Sequence, residues 1–293
     1  MERTRGIVAI VVTYRSDDVI DGCLRALDRE LTAQDCIVVV DNASPDGTAH
    51  VARRARARAT VVELPRNLGF GAACNRGAAL APEHDVLLVN PDAVVQPGAV
   101  AALRSALAAD PRRGAVGPRI VRTDGAPEPG CRRSIPSPSV ALARLARLDR
   151  LFPNSPRFTA YNLLLADPDK PADIDCISGA AMLVRREVWD ELRGFDERFF
   201  MYAEDIDLCL RIRRQHSTIH YCPEANVVHR KGSSTEKARL RMRWEFHRSM
   251  LMFWRKHYAH GPALLLAPLV AAAAFGRFTV LSLADATGRV SWR

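Results

Sequence analysis

None of the seven cysteines in this 293-residue chain stands at a metal-binding spacing from another, and an odd number cannot close a disulfide framework. Scattered as Cys23, Cys36, Cys74, Cys131, Cys176, Cys209 and Cys222, they suit reduced thiols in a cytoplasmic setting. No signal peptide is legible, because Met1–Gly6 leads straight into an apolar run. The loop after that run, Thr13-Tyr14-Arg15-Ser16-Asp17, has neither glycine nor lysine, which argues against a sugar-1-phosphate nucleotidyltransferase. No nucleic-acid motif accompanies the net charge of +9, so charge alone does not name a partner.

What is present is alternation. Ile7–Thr13, Cys36–Val40, Thr60–Glu63 and Asp85–Val89 are short apolar, β-branched runs of the kind buried in parallel sheets. Helix-like stretches near Asp17–Glu30, Asp46–Arg58 and Gly71–Leu80 separate them. The order predicts an α/β fold with a parallel sheet covered on both faces, whose ligands gather beyond the carboxyl ends of the strands. Polar residues sit there: Thr13-Tyr14, Asp41-Asn42 and Asn90-Pro91-Asp92.

Each cluster has a chemical use and a plainer one. Ser44 or Asp46 would cap the helix that follows, but Asp41 has no local capping job and could accept a pyrimidine imide N–H. Arg66-Asn67-Leu68-Gly69-Phe70-Gly71 is either a tight turn or, with Asn75, a diphosphate or ribose contact in which glycines admit the backbone. Asp92 is placed for a divalent cation, with an Asx turn as the alternative. Glu204, Asp205 and Asp207 begin a helix, where acidic residues also serve the dipole, and Asp207 and Arg211 have the spacing of an ion pair.

Val12-Thr13-Tyr14, Val40-Asp41-Asn42-Ala43-Ser44, Arg66–Gly71, Asn90-Pro91-Asp92 and Tyr202–Arg211 together resemble family 2 inverting glycosyltransferases of the GT-A fold. Within that family the chain is most similar to bacterial rhamnosyltransferases, which move L-rhamnose from dTDP-L-rhamnose onto polyprenyl-diphosphate-linked N-acetylglucosamine. The resemblance runs from about Ile7 to Ser234. It implies Asp205 as general base with Glu204 as fallback, and a nucleotide-sugar site of Thr13, Tyr14, Asp41, Asn42, Arg66, Asn67, Gly69, Gly71, Asn75, Asn90 and Asp92. It implies Mg²⁺ or Mn²⁺ on Asp92 and His229; Asn90 stands where the family often has aspartate, so it is at most an outer ligand. Ser178, Gly179 and Trp189 fall on the acceptor side, Trp189 with a core role as its alternative, and Phe195-Asp196 follow in the family manner. Arg230 and Lys231 beside His229 could meet phosphate charge, and Gly232-Ser233-Ser234 suit a flexible lid closing over the donor. A UDP-sugar donor such as UDP-galactofuranose, or a soluble acceptor, is the alternative.

Residues 1–234 are expected to form the catalytic domain, a nucleotide-sugar half to about 121 and an acceptor half from 122, with 235–293 a helical extension. Arg230–Lys256 holds nine basic residues against Glu236 and Glu245. Its stripe Leu240, Trp244, His247, Leu251 and Trp254 predicts an amphipathic helix on an anionic membrane surface. Pro262–Ala284 is apolar apart from Arg277 and reads as a monotopic or re-entrant anchor at the cytoplasmic face; packing on the catalytic domain or in a homodimer is the alternative. The proline-rich Arg122–Asp173 supports one helical run, near Ser139–Leu151, and suits a mobile acceptor-facing insertion.

Overall fold

A computed structural model describes residues 5–55, 57–135, 137, 140, 148–152, 154–155, 159–230 and 239–286. The first half alternates as the runs predict: β1 (Ile7–Thr13), α1 (Ile20–Glu30), β2 (Cys36–Asp41), α2 (Thr48–Arg54), β3 (Ala59–Glu63), α3 (Phe70–Ala78) and β4 (Asp85–Val89). All seven residues of β1 are buried, which is why its sequence has no polar alternation. α1 returns over the sheet on Ile20, Cys23, Leu24 and Leu27, one face of a 3.6-residue period.

The second half follows as β5 (Ala93–Val95), α4 (Ala99–Ala108), β6 (Arg113–Arg122), β7 (Arg132–Arg133), α5 (Leu148–Leu151), β8 (Ala172–Asp173), β9 (Cys176–Ile177), β10 (Ala181–Val184), α6 (Arg186–Glu191), α7 (Glu204–Arg214), β11 (Thr218–His229), α8 (Arg239–His257) and α9 (Ala267–Ala286). The main sheet runs β3-β2-β1-β4-β10-β6-β11-β5, with β8 on β11. β3, β2, β1 and β4 are mutually parallel, so their polar carboxyl ends share one edge. β10 inserts antiparallel between β4 and β6, carrying the acceptor-side turn before it to that edge. β7 and β9 form a separate antiparallel pair above the sheet.

Most of the helical run expected near Ser139–Leu151 lies outside the described residues, as do the Lys231–Ser234 lid and the boundary drawn at 234. The rest of 122–173 does not stand apart as an insertion. β7, the 3₁₀ turn Ala160–Asn162 and β8 pack on the catalytic half.

α8 packs by its other face. Leu240 and Trp244 are exposed, while Arg243, His247, Ser249, Phe253 and His257 face inward. His257 Nε2 and Lys256 Nζ meet the buried Asp207 at 2.7 and 2.6 Å, and Ser249 Oγ donates to Met201 O at 2.8 Å. The helix docks on the catalytic half, and Lys256 and His257 meet protein carboxylates there. α9 rests on α8 and is otherwise exposed. Ala263–Leu283 has a mean hydropathy of 1.9 with none of it buried, and is long and apolar enough to cross a membrane.

Candidate active site

At the sheet edge, Thr13 and Asp41 are register partners, and Thr13 Oγ1 donates to Asp41 Oδ1 at 2.9 Å. Ser44 N–H donates to Asp41 Oδ2 at 3.0 Å. Asp41 therefore does have a local job, closing the turn after β2, and the sequence reading that it lacked one is corrected. Asn42 is similarly employed: its Oδ1 accepts Leu68 N–H at 2.8 Å and its Nδ2 donates to Gly69 O at 3.0 Å. Asn67 Oδ1 accepts Gly69 N–H, a two-residue Asx turn.

Three donor-side expectations change. Gly69 has φ 90°, and a Cβ there would strike the Phe200 backbone, whose carbonyl accepts Phe70 N–H at 2.9 Å. A Cβ on Gly71 would lie 2.9 Å from Phe195 Cβ. The close approach these glycines permit is to the chain at 195–200, not to a phosphate. Asn75 accepts Phe195 N–H and donates to Phe195 O, both at 2.9 Å, so it clamps that same segment rather than facing a ribose. Arg66 is exposed and Tyr14 half-buried at the edge. Arg15, which sequence reasoning passed over, stacks on Tyr14 with its Nε buried and unpartnered at that edge, an uncommitted donor where phosphate would come.

Asp92, just beyond β4, meets His229 at the end of β11: His229 Nε2 lies 3.1 Å from Asp92 Oδ1. The other ring nitrogen, Nδ1, is 2.7 Å from Glu128 Oε2, and all three side chains are nearly enclosed. Burial opposes a charge on His229, but its hydrogen bonds to Asp92 and Glu128 outweigh that and push the ring up to about 9. With a cation bound the ring would give up its proton, and Asp92 would offer an oxygen and His229 a nitrogen of a ring held by Glu128, a pair that suits manganese better than magnesium. Among the described residues no three such side chains are arranged to hold an ion by themselves. Two protein ligands plus diphosphate oxygens fit what such ions take in nucleotide sites. Glu128, in the segment that gave no periodic signal, was not legible as its partner.

Asp205 opens α7. Its Oδ2 accepts Gly179 N–H at 3.2 Å and is ion-paired with Arg133 of β7, while Oδ1 accepts Ile206 N–H at 2.8 Å. No protein atom comes closer than 3.5 Å to a Cβ built on Gly179, so packing does not demand its small size. On the other side of that turn, Ala180 O accepts Asn90 N–H at 2.9 Å. Ser178-Gly179-Ala180 thus bridges Asp205 and the Asn90–Asp92 loop, and Ser178 Oγ caps the turn by accepting Ala180 N–H. Trp189 is core: it is 4 % exposed and packs edge-on against Phe195, which corrects its reading as an acceptor platform.

The turn before α7 is strained. Tyr202 and Ala203 have φ of 68° and 64°, a region L residues rarely adopt and at about 1–3 kcal/mol each. Phe246 of α8 holds Tyr202 edge-on at 5.7 Å. The strain aims Glu204 inward: Oε2 has no hydrogen-bond partner, and burial followed by the Asp205 charge pushes the carboxyl up to about 8. Glu204, the fallback base of the sequence reading, lies buried beside Asp205 with its carboxyl raised toward neutrality.

Similarity to known proteins agrees with this geometry. Over 238 residues the chain is 34% identical to the N-acetylglucosaminyl-diphospho-decaprenol L-rhamnosyltransferase of Mycobacterium tuberculosis, covering 77% of this chain and 76% of that one. A shorter stretch of 56 residues, 19% of this chain and 21% of its relative, is 43% identical to rhamnosyltransferase WbbL of Escherichia coli. The fold matches that of mannosyltransferase PcManGT from Pyrobaculum calidifontis, solved with GDP-Man and Mn²⁺, with a TM-score of 0.60, 21% identity and coverage of 97% and 76%. It also matches S. aureus TarS with UDP-GlcNAc, with a TM-score of 0.58, 16% identity and coverage of 94% and 72%. Residues 4–246 match the family described as "Glycosyltransferase like family 2", and the chain is a member of that glycosyltransferase family, with its GT-A fold.

Proposed function

We propose that the enzyme transfers L-rhamnose from dTDP-L-rhamnose to N-acetylglucosamine carried on a polyprenyl diphosphate, at the cytoplasmic face of the membrane. The observation that carries the sugar and acceptor is the 34% identity to a mycobacterial rhamnosyltransferase whose name specifies a decaprenol-linked substrate. The apolar α9 supports delivery at a membrane.

The chemistry follows from the chain's own side chains. Asp205 takes the proton of the acceptor hydroxyl as that oxygen attacks the anomeric carbon, and its charge favours the oxocarbenium-like transition state. Arg133 and Gly179 N–H hold Oδ2, which turns the carboxylate about Oδ1. The bridge through Ser178–Ala180 fixes Asp205 relative to Asp92. Asp92 and His229 would hold Mg²⁺ or Mn²⁺, which neutralises charge on the departing diphosphate. Among the described residues Arg15, Arg66 and Arg230, whose N–H donates to Asp92 O at 2.9 Å, are cations placed to face donor phosphates, and Thr13–Asp41 closes the edge on which the nucleobase rests.

A donor panel tests the proposal: dTDP-L-rhamnose, UDP-galactofuranose and GDP-mannose, each with a prenyl-linked and a soluble acceptor, with release of nucleoside diphosphate measured. The expected result is release from dTDP-L-rhamnose only when prenyl-linked N-acetylglucosamine is added. Turnover confined to a UDP-sugar, or to a soluble acceptor, overturns the donor or the acceptor respectively.

A further inference from the structure

The transfer chemistry leaves one built concavity unused. α8 and α9 meet where Trp244 packs edge-on against Phe278 at 5.6 Å and Arg243 Nη1 donates to Leu281 O at 2.7 Å. Beside this contact runs an open groove of about 400 Å³. Its α8 wall is Trp244, Leu251 and Met252, and its α9 wall is Ala274, Phe275 and Phe278. Trp244 and Phe275 are exposed along it among the described residues. Arg248, whose guanidinium also meets Glu245 at 3.1 Å, and Arg255 are both exposed and stand along one edge two helical turns apart, flanking Leu251.

We infer that this groove binds the prenyl chain of a lipid diphosphate, with Arg248 and Arg255 meeting the diphosphate. The inference rests on the lipid-linked acceptor proposed above and gives it a location. Two features favour this occupant over bulk phospholipid. A groove between two helices takes a single chain, and two guanidinium groups on one edge match a diphosphate's multiple charge better than one phosphodiester. The placement also suits delivery. The opposite side of α8 touches Met201 and Asp207, so the groove lies about one helix diameter, some 10 Å, from the turn that bears Asp205.

The test uses the full chain in phosphatidylcholine nanodiscs and a polyprenyl diphosphate with a diazirine near its far end, carrying no sugar. The expected label falls on peptides of α8 and α9. Ala274→Trp, which fills the groove, and the surface pair Arg248→Glu with Arg255→Glu should each reduce labelling about tenfold or more, since each removes either the cavity or the charge match. Excess phosphatidylglycerol should not compete. Thermal melting and nucleoside diphosphate release with a short-chain acceptor serve as controls for folding in both variants. Label elsewhere in the chain, equal competition by phosphatidylglycerol, or cross-links between two protein copies would each overturn the inference. Labelling needs no transfer, so a failed acceptor assignment leaves the groove result readable. Intact transfer to prenyl-linked sugar without α8–α9 label sinks the groove alone.

Discussion

Asp207 and His257, fifty residues apart in the chain, share a buried 2.7 Å hydrogen bond that ties the helix bearing Asp205 to α8. Burial opposes ionisation of Asp207, but His257, Arg211 and Lys256 outweigh it and hold the carboxyl below its ordinary range. His257→Ala removes one hydrogen bond to that buried carboxylate while Lys256 and Arg211 remain, a loss of about 1.5–3 kcal/mol. The melting temperature should fall, and turnover should fall even with a soluble acceptor analogue, because α8 braces the Tyr202–Ala203 turn. A variant that melts like wild type would show that α8 is only an appendage.

Asp205→Asn should reduce turnover by at least about 10²–10⁴-fold while donor affinity, read by calorimetry with the nucleoside diphosphate, stays within a few-fold. Turnover within tenfold of wild type would remove Asp205 from the role of base.

Glu204 gives a pH dependence with a definite sign. Its carboxyl is pushed up to about 8 in the folded protein from 4.5 unfolded, so unfolding releases a proton between those values. Stability therefore falls as pH rises through that window, with a slope on the order of 1 kcal/mol per pH unit from this group. Glu204→Gln should flatten that slope in urea titrations at several pH values and keep most of the turnover. An unchanged slope would show that Glu204 is not the buried acid.

Glu128→Gln should weaken Mn²⁺ binding about 10–100-fold, the usual effect of losing the group that orients a ligating imidazole. Calorimetry with Mn²⁺ in the presence of nucleoside diphosphate reads this directly. Wild-type affinity would separate Glu128, and with it His229, from the ion.

Much of the fold was legible because β1, β2 and β4 are buried on both faces, so hydrophobic runs declare them without help from neighbours. Site residues were legible as positions more than as jobs. Asn75 and Gly71 carry the pattern of a ligand loop, yet their partners are Phe195 and its backbone, a tertiary fact with no local signature. Arg133 and Glu128 were missed for the same reason, lying in a proline-broken segment without periodicity. In α8 the apolar stripe leaves Leu240 and Trp244 exposed, while the docking face is held by Arg243, Ser249 and His257, polar groups buried through specific partners that hydropathy does not reveal.

The stretch from Glu128 to Arg133 reaches both ends of the site, touching His229 with one side chain and Asp205 with the other. The Asp92–His229 pair and Asp205 are therefore not held by separate parts of the chain. A chimaera that imports residues 122–173 from a relative to change acceptor choice would also replace the carboxylate behind His229 and the guanidinium beside Asp205. Grafts in this enzyme should begin after Arg133, so that new acceptor contacts arrive while both of those side chains stay native.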